Sequence, residues 1–159
     1  MGRRLRELAN QVGPTRVGTN VFRRVVPLAD RLVYALSGGR HTVTGRSLPT
    51  LVLHTVGRRS GQPREHPLLY VREGDAYVVA GSNWGQAHHP AWTVNLLADP
   101  DAEVAVDGDR HRVVARLATD EERERLWPRF DAAYRGFAVY RERAGDRQIR
   151  LFLLEPTSR

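Results

Sequence analysis

Two stretches of the chain place chemically useful residue types at short spacing. The first, Gly57-Arg58-Arg59-Ser60-Gly61-Gln62-Pro63-Arg64, sets three guanidiniums, one hydroxyl and two glycines between two apolar segments. Glycine lets the backbone come close to a ligand, and successive N–H groups with arginine forks are what a phosphate needs. It is not a Walker loop, since both the spacing and the lysine of that motif are missing. Two readings stand at this point, an anion site and a solvated hairpin tip. The second stretch runs from Gly81-Ser82-Asn83-Trp84-Gly85 through His88-His89-Pro90-Ala91-Trp92 to Asn95-Leu96. Its small residues, tryptophans and histidines could wall a flat heteroaromatic ring. The alternative is a loop whose tryptophans pack on the core.

Other chemistries find less to work with. His88 and His89 are neighbours whose side chains point apart, and no histidine or carboxylate stands four residues on, so no metal is expected. Ser60 does not sit in a Gly-x-Ser-x-Gly elbow, and no motif ties a histidine or an acid to it. His54 and His66 fall in strand-like segments and read as structural or pocket-lining. Tyr134, Phe137 and Tyr140 recur every three residues around Gly136. Such a stripe is core packing or, given the polar Asp131, Arg135, Arg141 and Glu142 beside it, a pocket edge.

The elements that must hold these residues follow from periodicity. Thr50–Val56, Glu65–Arg72, Ala76–Ser82, Ala102–Val106, His111–Leu117 and Ile149–Leu154 read as strands. Gly74-Asp75 and Asp107-Gly108-Asp109 are turn signals. Pro90–Asp99 reads as a short helix with Pro90 in its first turn. Thr119 and Glu122 form a capping box that opens a helix to about Arg135, with Pro128 placed to split it. Before these come two helical runs, one over Leu5, Leu8, Ala9 and Val12, the other capped by Asn20 and bent at Pro27. Strands joined by short turns, without regular strand–helix alternation, make an α+β chain, mainly antiparallel β. The sheet closes into a small barrel with flanking helices.

Composition limits the function. The chain has 159 residues, 41% of them hydrophobic, enough for one compact domain with a real core. It has no cysteine, which excludes disulfides, thiolate zinc sites, iron–sulfur clusters and cysteine nucleophiles. The net charge is +7, and all 25 basic residues are arginine, an actinobacterial-like composition. Residues 1–40 hold eight arginines against Glu7 and Asp30, so nearly all the excess lies there. That basic segment is a solvated helix face, or it meets an anionic membrane surface. No nucleic-acid motif accompanies it, and none is expected as a partner. No signal peptide or bilayer-length apolar run is visible, so the expected location is cytoplasmic, with membrane association through residues 1–40 left open. The organisation expected is a basic helical segment over 1–40 and a barrel over 41–159.

Taken in order, the two loops, the Tyr134-x-x-Phe137-x-x-Tyr140 stripe and a final strand ending Leu154-Glu155-Pro156 resemble the deazaflavin-dependent nitroreductase and quinone reductase family, which uses coenzyme F420. The resemblance covers roughly Thr50 to Pro156. It implies a split β-barrel of the FMN-binding-like kind. It also implies hydride transfer from reduced F420 to a flat organic acceptor, a quinone or a nitro compound. By the same resemblance Arg58, Arg59, Ser60, Gly61 and Arg64 hold the phosphate and acidic tail of the cofactor. Pro67, Leu68 and Leu69 line the deazaflavin ring from one side, while His66, Gly81, Ser82, Asn83, Trp92 and Asn95 border it elsewhere. Tyr134, Tyr140 and Ser82 are the candidate proton donors near the acceptor. Asn83 stands where many relatives have lysine and His66 where asparagine is common. Phe137 stands where nitro-reducing members have tyrosine, which points to a quinone first. Competing expectations are an FMN-binding split-barrel oxidoreductase and a non-catalytic binder of anionic ligands or membranes. A monomer and a homodimer are both compatible with the sequence.

Overall fold

A computed structural model of the chain describes residues 48–157. The two N-terminal helical runs and the boundary expected at residue 40 lie outside the described residues. From Thr50 onward, alternating apolar residues build the strands. Strand β1 (Thr50–Val56) pairs antiparallel with β2 (Pro63–Glu73), and β2 pairs with β3 (Ala76–Ala80) across the Gly74-Asp75 turn. Strand β4 (Asp101–Val106) pairs with β1 on one side and with β5 (Asp109–Leu117) on the other. The last strand, β6 (Leu151–Pro156), lies between β5 and β3 and closes a barrel in the order β1-β2-β3-β6-β5-β4. Every pairing is antiparallel, so the barrel read from the sequence is the barrel observed.

All six strands share one core, and the opposite faces of β2, β3 and β6 share a second, as a period of two allows. Leu51, Leu53, Tyr77, Val79, Val104, Val113, Ala115, Phe152 and Leu154 share one cluster, joined by Trp92 and Leu96 of α1 (Ala91–Ala98). Val71, Val78, Ala80, Leu151 and Leu153 face the other way. They are covered by Leu126 and Phe130 of α2 (Asp120–Ala133) and by Phe137, Tyr140 and Ala144 of α3 (Gly136–Ala144).

Several boundaries differ from the sequence reading, each for a local reason. Pro90 caps α1 from an extended conformation and does not enter its first turn. Thr119 and Glu122 do form the capping box of α2, and two salt-bridging hydrogen bonds from Arg116 help hold the Glu122 carboxyl down at about 2. Pro128 does not split that helix. Its ring and the carbonyl of Glu124 that it leaves unpaired lie on the exposed face, while Leu126 and Phe130 are fully buried opposite. Asp109 belongs to β5 opposite Val106, so the hairpin turn is Asp107-Gly108, with φ of 52° and 95°. Two successive positive φ values are the signature of a tight hairpin whose twist matches the strands. Helix α3 has no counterpart among the elements read from the sequence. It starts at Gly136, with Arg135 alone separating it from an extended Tyr134, and no capping side chain marks its entry.

Candidate active site

The arginine loop joins β1 to β2, and it is tied by its own backbone. Gly57 N–H donates to the Gln62 carbonyl at 2.8 Å, and Ser60 and Gly61 N–H donate to the Gly57 carbonyl at 3.1 and 2.7 Å. Gln62 N–H donates to Ser60 Oγ at 3.3 Å, and Arg58 N–H donates to Asn95 Oδ1 at 3.2 Å. The expected row of free backbone donors is therefore mostly occupied, leaving the Arg59 N–H alone in this loop. Anion binding falls to the side chains. Arg58, Arg59 and Arg64 are exposed, and none has a carboxylate partner among the described residues. Arg64 Nη2 donates to Ser60 Oγ at 3.4 Å, which gathers a hydroxyl and a guanidinium at one point. A Cβ on Gly57 would lie 2.7 Å from Ser60 Oγ and push that hydroxyl aside, and Gly61 has φ of +64°, where a side chain is strained. Three uncompensated cations on a rigid loop fit a cofactor carrying several anionic groups.

Helix α1 links this loop to the second one. Asn95, 7% exposed, accepts from Arg58 N–H and donates from Nδ2 to Thr55 Oγ1 at 3.3 Å. Its amide is engaged in bracing the arginine loop. On the same helix the Thr93 methyl abuts Gly81, where a Cβ would approach it to 2.7 Å. Trp92 is 4% exposed and packs on Phe152 with ring centroids 5.7 Å apart. It serves the core, whereas the resemblance had it bordering the ring.

The second loop is strained. Asn83, Trp84 and Gly85 have φ of 46°, 58° and 77°, three left-handed residues in succession after Ser82 in the right-handed region. A non-glycine residue held there costs on the order of 1–2 kcal/mol, and such strain gathers at functional sites. Asn83 Nδ2 donates to the His88 carbonyl at 2.9 Å and braces the turn. Gly85 has no room for a side chain: a Cβ would meet Arg143 Cβ at 2.6 Å and the Tyr140 carbonyl at 2.9 Å. The residue that the sequence did not reveal is Arg147. Its Nη1, Nη2 and Nε donate to the carbonyls of Gly81, Ser82 and Gln86 at 3.1, 2.6 and 2.7 Å, and Nη1 lies 3.4 Å from His89 Nδ1. Burial and the nearby Arg150 lower its pKa. Nothing in the spacing of Gly145-Asp146-Arg147-Gln148 distinguishes it from a surface arginine.

Trp84 meets Tyr140 edge-on, ring centroids 5.8 Å apart, and so brings the turn to the aromatic stripe. Tyr134 and Tyr140 place their hydroxyls 3.4 Å apart. Burial pushes both phenols up, Tyr140 far up, so both are protonated donors. Tyr140 is 3% exposed, whereas Tyr134 is half-buried. Phe137 packs on Phe130, Trp127 and both tyrosines and is core, not pocket edge. Tyr140 thus meets the turn at Trp84 and Gly85, while Asn95 of α1 meets the arginine loop at the Arg58 backbone.

Strand β2 divides its candidates between two faces. His66 is opposite Leu53 and shares its face with Arg64, Leu68 and Tyr70, whereas Pro67 and Leu69 are on the other. The three residues Pro67, Leu68 and Leu69 therefore do not line one surface together. His66 Nε2 is buried without a partner among the described residues, and desolvation followed by Arg64 lowers its pKa below 6.5. A histidine kept neutral by the fold gives stability that is full above its unfolded pKa and is lost as pH falls toward the folded value. The unfolding midpoint should drop as pH is taken down through 6.5, and His66→Asn should flatten that slope in urea melts at several pH values. His54, lowered mainly by burial, adds a slope of the same sign.

The sequence profile of the F420H(2)-dependent quinone reductase family matches residues 29–156. The chain belongs to that family. It is 40% identical over 92 residues to the putative F420H(2)-dependent quinone reductase Rv3178 of Mycobacterium tuberculosis (strain ATCC 25618 / H37Rv), covering 58% of the chain and 77% of that relative. A solved structure of an F420-H2 dependent reductase (FDR-A) shares 34% identity with a TM-score of 0.61, covering 67% of this chain and 94% of the other. Another, a domain-swapped dimer, shares 30% identity with a TM-score of 0.64, covering 86% and 98%. The family is one of oxidoreductases that use F420 and have this barrel, and the match favours the deazaflavin over FMN. Among the described residues no group of histidines and acids is placed to hold a metal, and no helix is long and apolar enough to cross a membrane.

Proposed function

We propose that this reductase binds reduced F420 with its anionic tail on Arg58, Arg59 and Arg64 and its ring beside the Gly81–Gly85 turn, and reduces a flat quinone there. When bound, the deazaflavin supplies a hydride, two electrons at once. The acceptor takes that hydride and one proton, and the protein's work is to hold the two partners face to face and supply the proton. The observation that carries the reading is the arginine loop, three exposed cations without carboxylate partners on a backbone that closes on itself. Ser60 Oγ joins the anion cradle, and Tyr134, with Ser82 as a second donor, faces the acceptor oxygen. Oxidised F420 should bind at least about tenfold more tightly than FMN, because three guanidiniums are more than a single phosphate requires and suit a cofactor with several anionic groups. Fluorescence titration of both cofactors decides this, and equal affinities would overturn it. Reduced F420 should then be consumed on adding a quinone, followed by recovery of fluorescence.

The organisation and setting belong to the same proposal. The basic segment over residues 1–40 is the part that meets an anionic surface, in a cytoplasmic protein otherwise built around the barrel, and a homodimer like the swapped neighbour is its assembled form. Removing residues 1–13 should leave F420 affinity within about twofold while reducing sedimentation with anionic vesicles at low salt. Full-length protein that ignores such vesicles would leave residues 1–40 as a solvated face.

A further inference from the structure

The guanidinium of Arg147 is half-buried and has no carboxylate partner among the described residues, yet all three of its nitrogens donate. Three of them end on the carbonyls of Gly81, Ser82 and Gln86. Every peptide here is trans, and in a trans peptide the carbonyl and the N–H of the next residue point to opposite sides. Fixing those three carbonyls therefore fixes the N–H groups of Ser82, Asn83 and Ala87 on the side away from Arg147. None of the three makes a hydrogen bond among the described residues. Elsewhere between Gly81 and Ala87, Gly81 N–H donates to the Arg150 carbonyl, Gly85 N–H to Ser82 and Gln86 N–H to Asn83, at 2.8, 2.9 and 3.0 Å, and Trp84 N–H makes no hydrogen bond among the described residues. Three of the four open donors between Gly81 and Ala87 thus lie on the peptide units that Arg147 holds. A cation behind the carbonyl also polarises each unit and strengthens its N–H as a donor.

We infer that Arg147 is a positioning residue of the hydride-transfer site, holding Ser82, Asn83 and Ala87 N–H as donors to the carbonyl-bearing edge of the bound ring; this rests on the function proposed above. Three fixed donors cost no rearrangement when a ligand oxygen arrives, which is how a backbone loop orients a flat heterocycle. The strain at Asn83 and Trp84 has its counterpart here, since the left-handed turn is held by the clamp. Arg147 is itself anchored, its N–H donating to the Ala144 carbonyl at 3.0 Å at the end of α3.

The decisive measurement is amide exchange, followed by NMR, on wild-type protein with and without oxidised F420. Ser82, Asn83 and Ala87 N–H should shift and become protected when the cofactor binds. Arg147→Ala should weaken F420 about tenfold or more while the quinone KM stays within about twofold, and added methylguanidinium should restore part of the affinity. Arg147→Lys, which keeps the charge but loses the fork, should fall between the two. If F420 binds and those three amides do not respond, or if Arg147→Ala binds F420 as wild type does, the inference is overturned. Should Arg147→Ala not fold, the wild-type amides alone decide. If wild-type protein binds no F420 at all, the proposed function falls and takes this inference with it.

Discussion

Replacing Arg59 and Arg64 together by alanine is expected to lower F420 affinity about a hundredfold, and each single change about tenfold. A hydrogen bond to a charged group is worth roughly 1.5–3 kcal/mol, and each 1.4 kcal/mol is a factor of ten in the dissociation constant. Both side chains are exposed and carry no carboxylate, so their loss should leave the fold intact, as circular dichroism and melting would verify. Arg64→Ala also removes a partner of Ser60 Oγ, and its effect should be the larger of the two. The loss should shrink as ionic strength rises, because screening weakens the wild-type interaction first. Fluorescence titration that finds both variants indistinguishable from wild type would remove the arginine loop from the cofactor site.

The second large effect is expected at Tyr134. Tyr134→Phe should lower kcat for quinone reduction by about 10²–10³ with F420 affinity nearly unchanged, since a donor placed where charge develops on oxygen is worth that much. Tyr140→Phe should cost less. Its hydroxyl is buried behind Tyr134 and reaches the acceptor only by holding the Tyr134 hydroxyl 3.4 Å away. Phe137→Tyr should not create a third donor, because Phe137 is in the aromatic core and a hydroxyl there would lack a partner, costing about 1–3 kcal/mol of stability. Steady-state rates with a quinone panel, read beside cofactor titration, separate these cases. A Tyr134→Phe enzyme with undiminished kcat would move proton delivery to Ser82 or to water.

How much of the molecule is legible in its chain depends on the range over which each feature is encoded. Strand alternation, the Gly74-Asp75 and Asp107-Gly108 turns and the Thr119–Glu122 capping box are written within a few residues, because period, φ preference and caps are local properties. They were enough to specify an antiparallel barrel with helices outside it. The cluster of arginines at 58, 59 and 64 was legible for the same reason: cations crowded into one hairpin loop are already neighbours in sequence. The separation of Leu68 from Pro67 and Leu69 is encoded by the same period of two, which sends adjacent strand residues to opposite faces.

What the tertiary structure alone decided is which groups are free and which are engaged. The N–H groups of residues 58, 60, 61 and 62 are all present in the sequence, and only the folded loop shows that they are occupied. Asn95 lies 37 residues from Arg58 and 40 from Thr55, and only barrel closure turns its amide into the brace between them. Arg147 lies 61 to 66 residues from the carbonyls it holds. Hydrogen bonds of that span leave no local pattern, because any residue with five donors satisfies the sequence equally well and only chain geometry selects the one that fits. The aromatic stripe divided in the same way. Its spacing fixed that Tyr134, Phe137 and Tyr140 lie near one another, but the packing of α2 and α3 on β3 and β6 decided which hydroxyls stay near solvent, since burial is a property of the assembled layers and not of the helix that carries the residue.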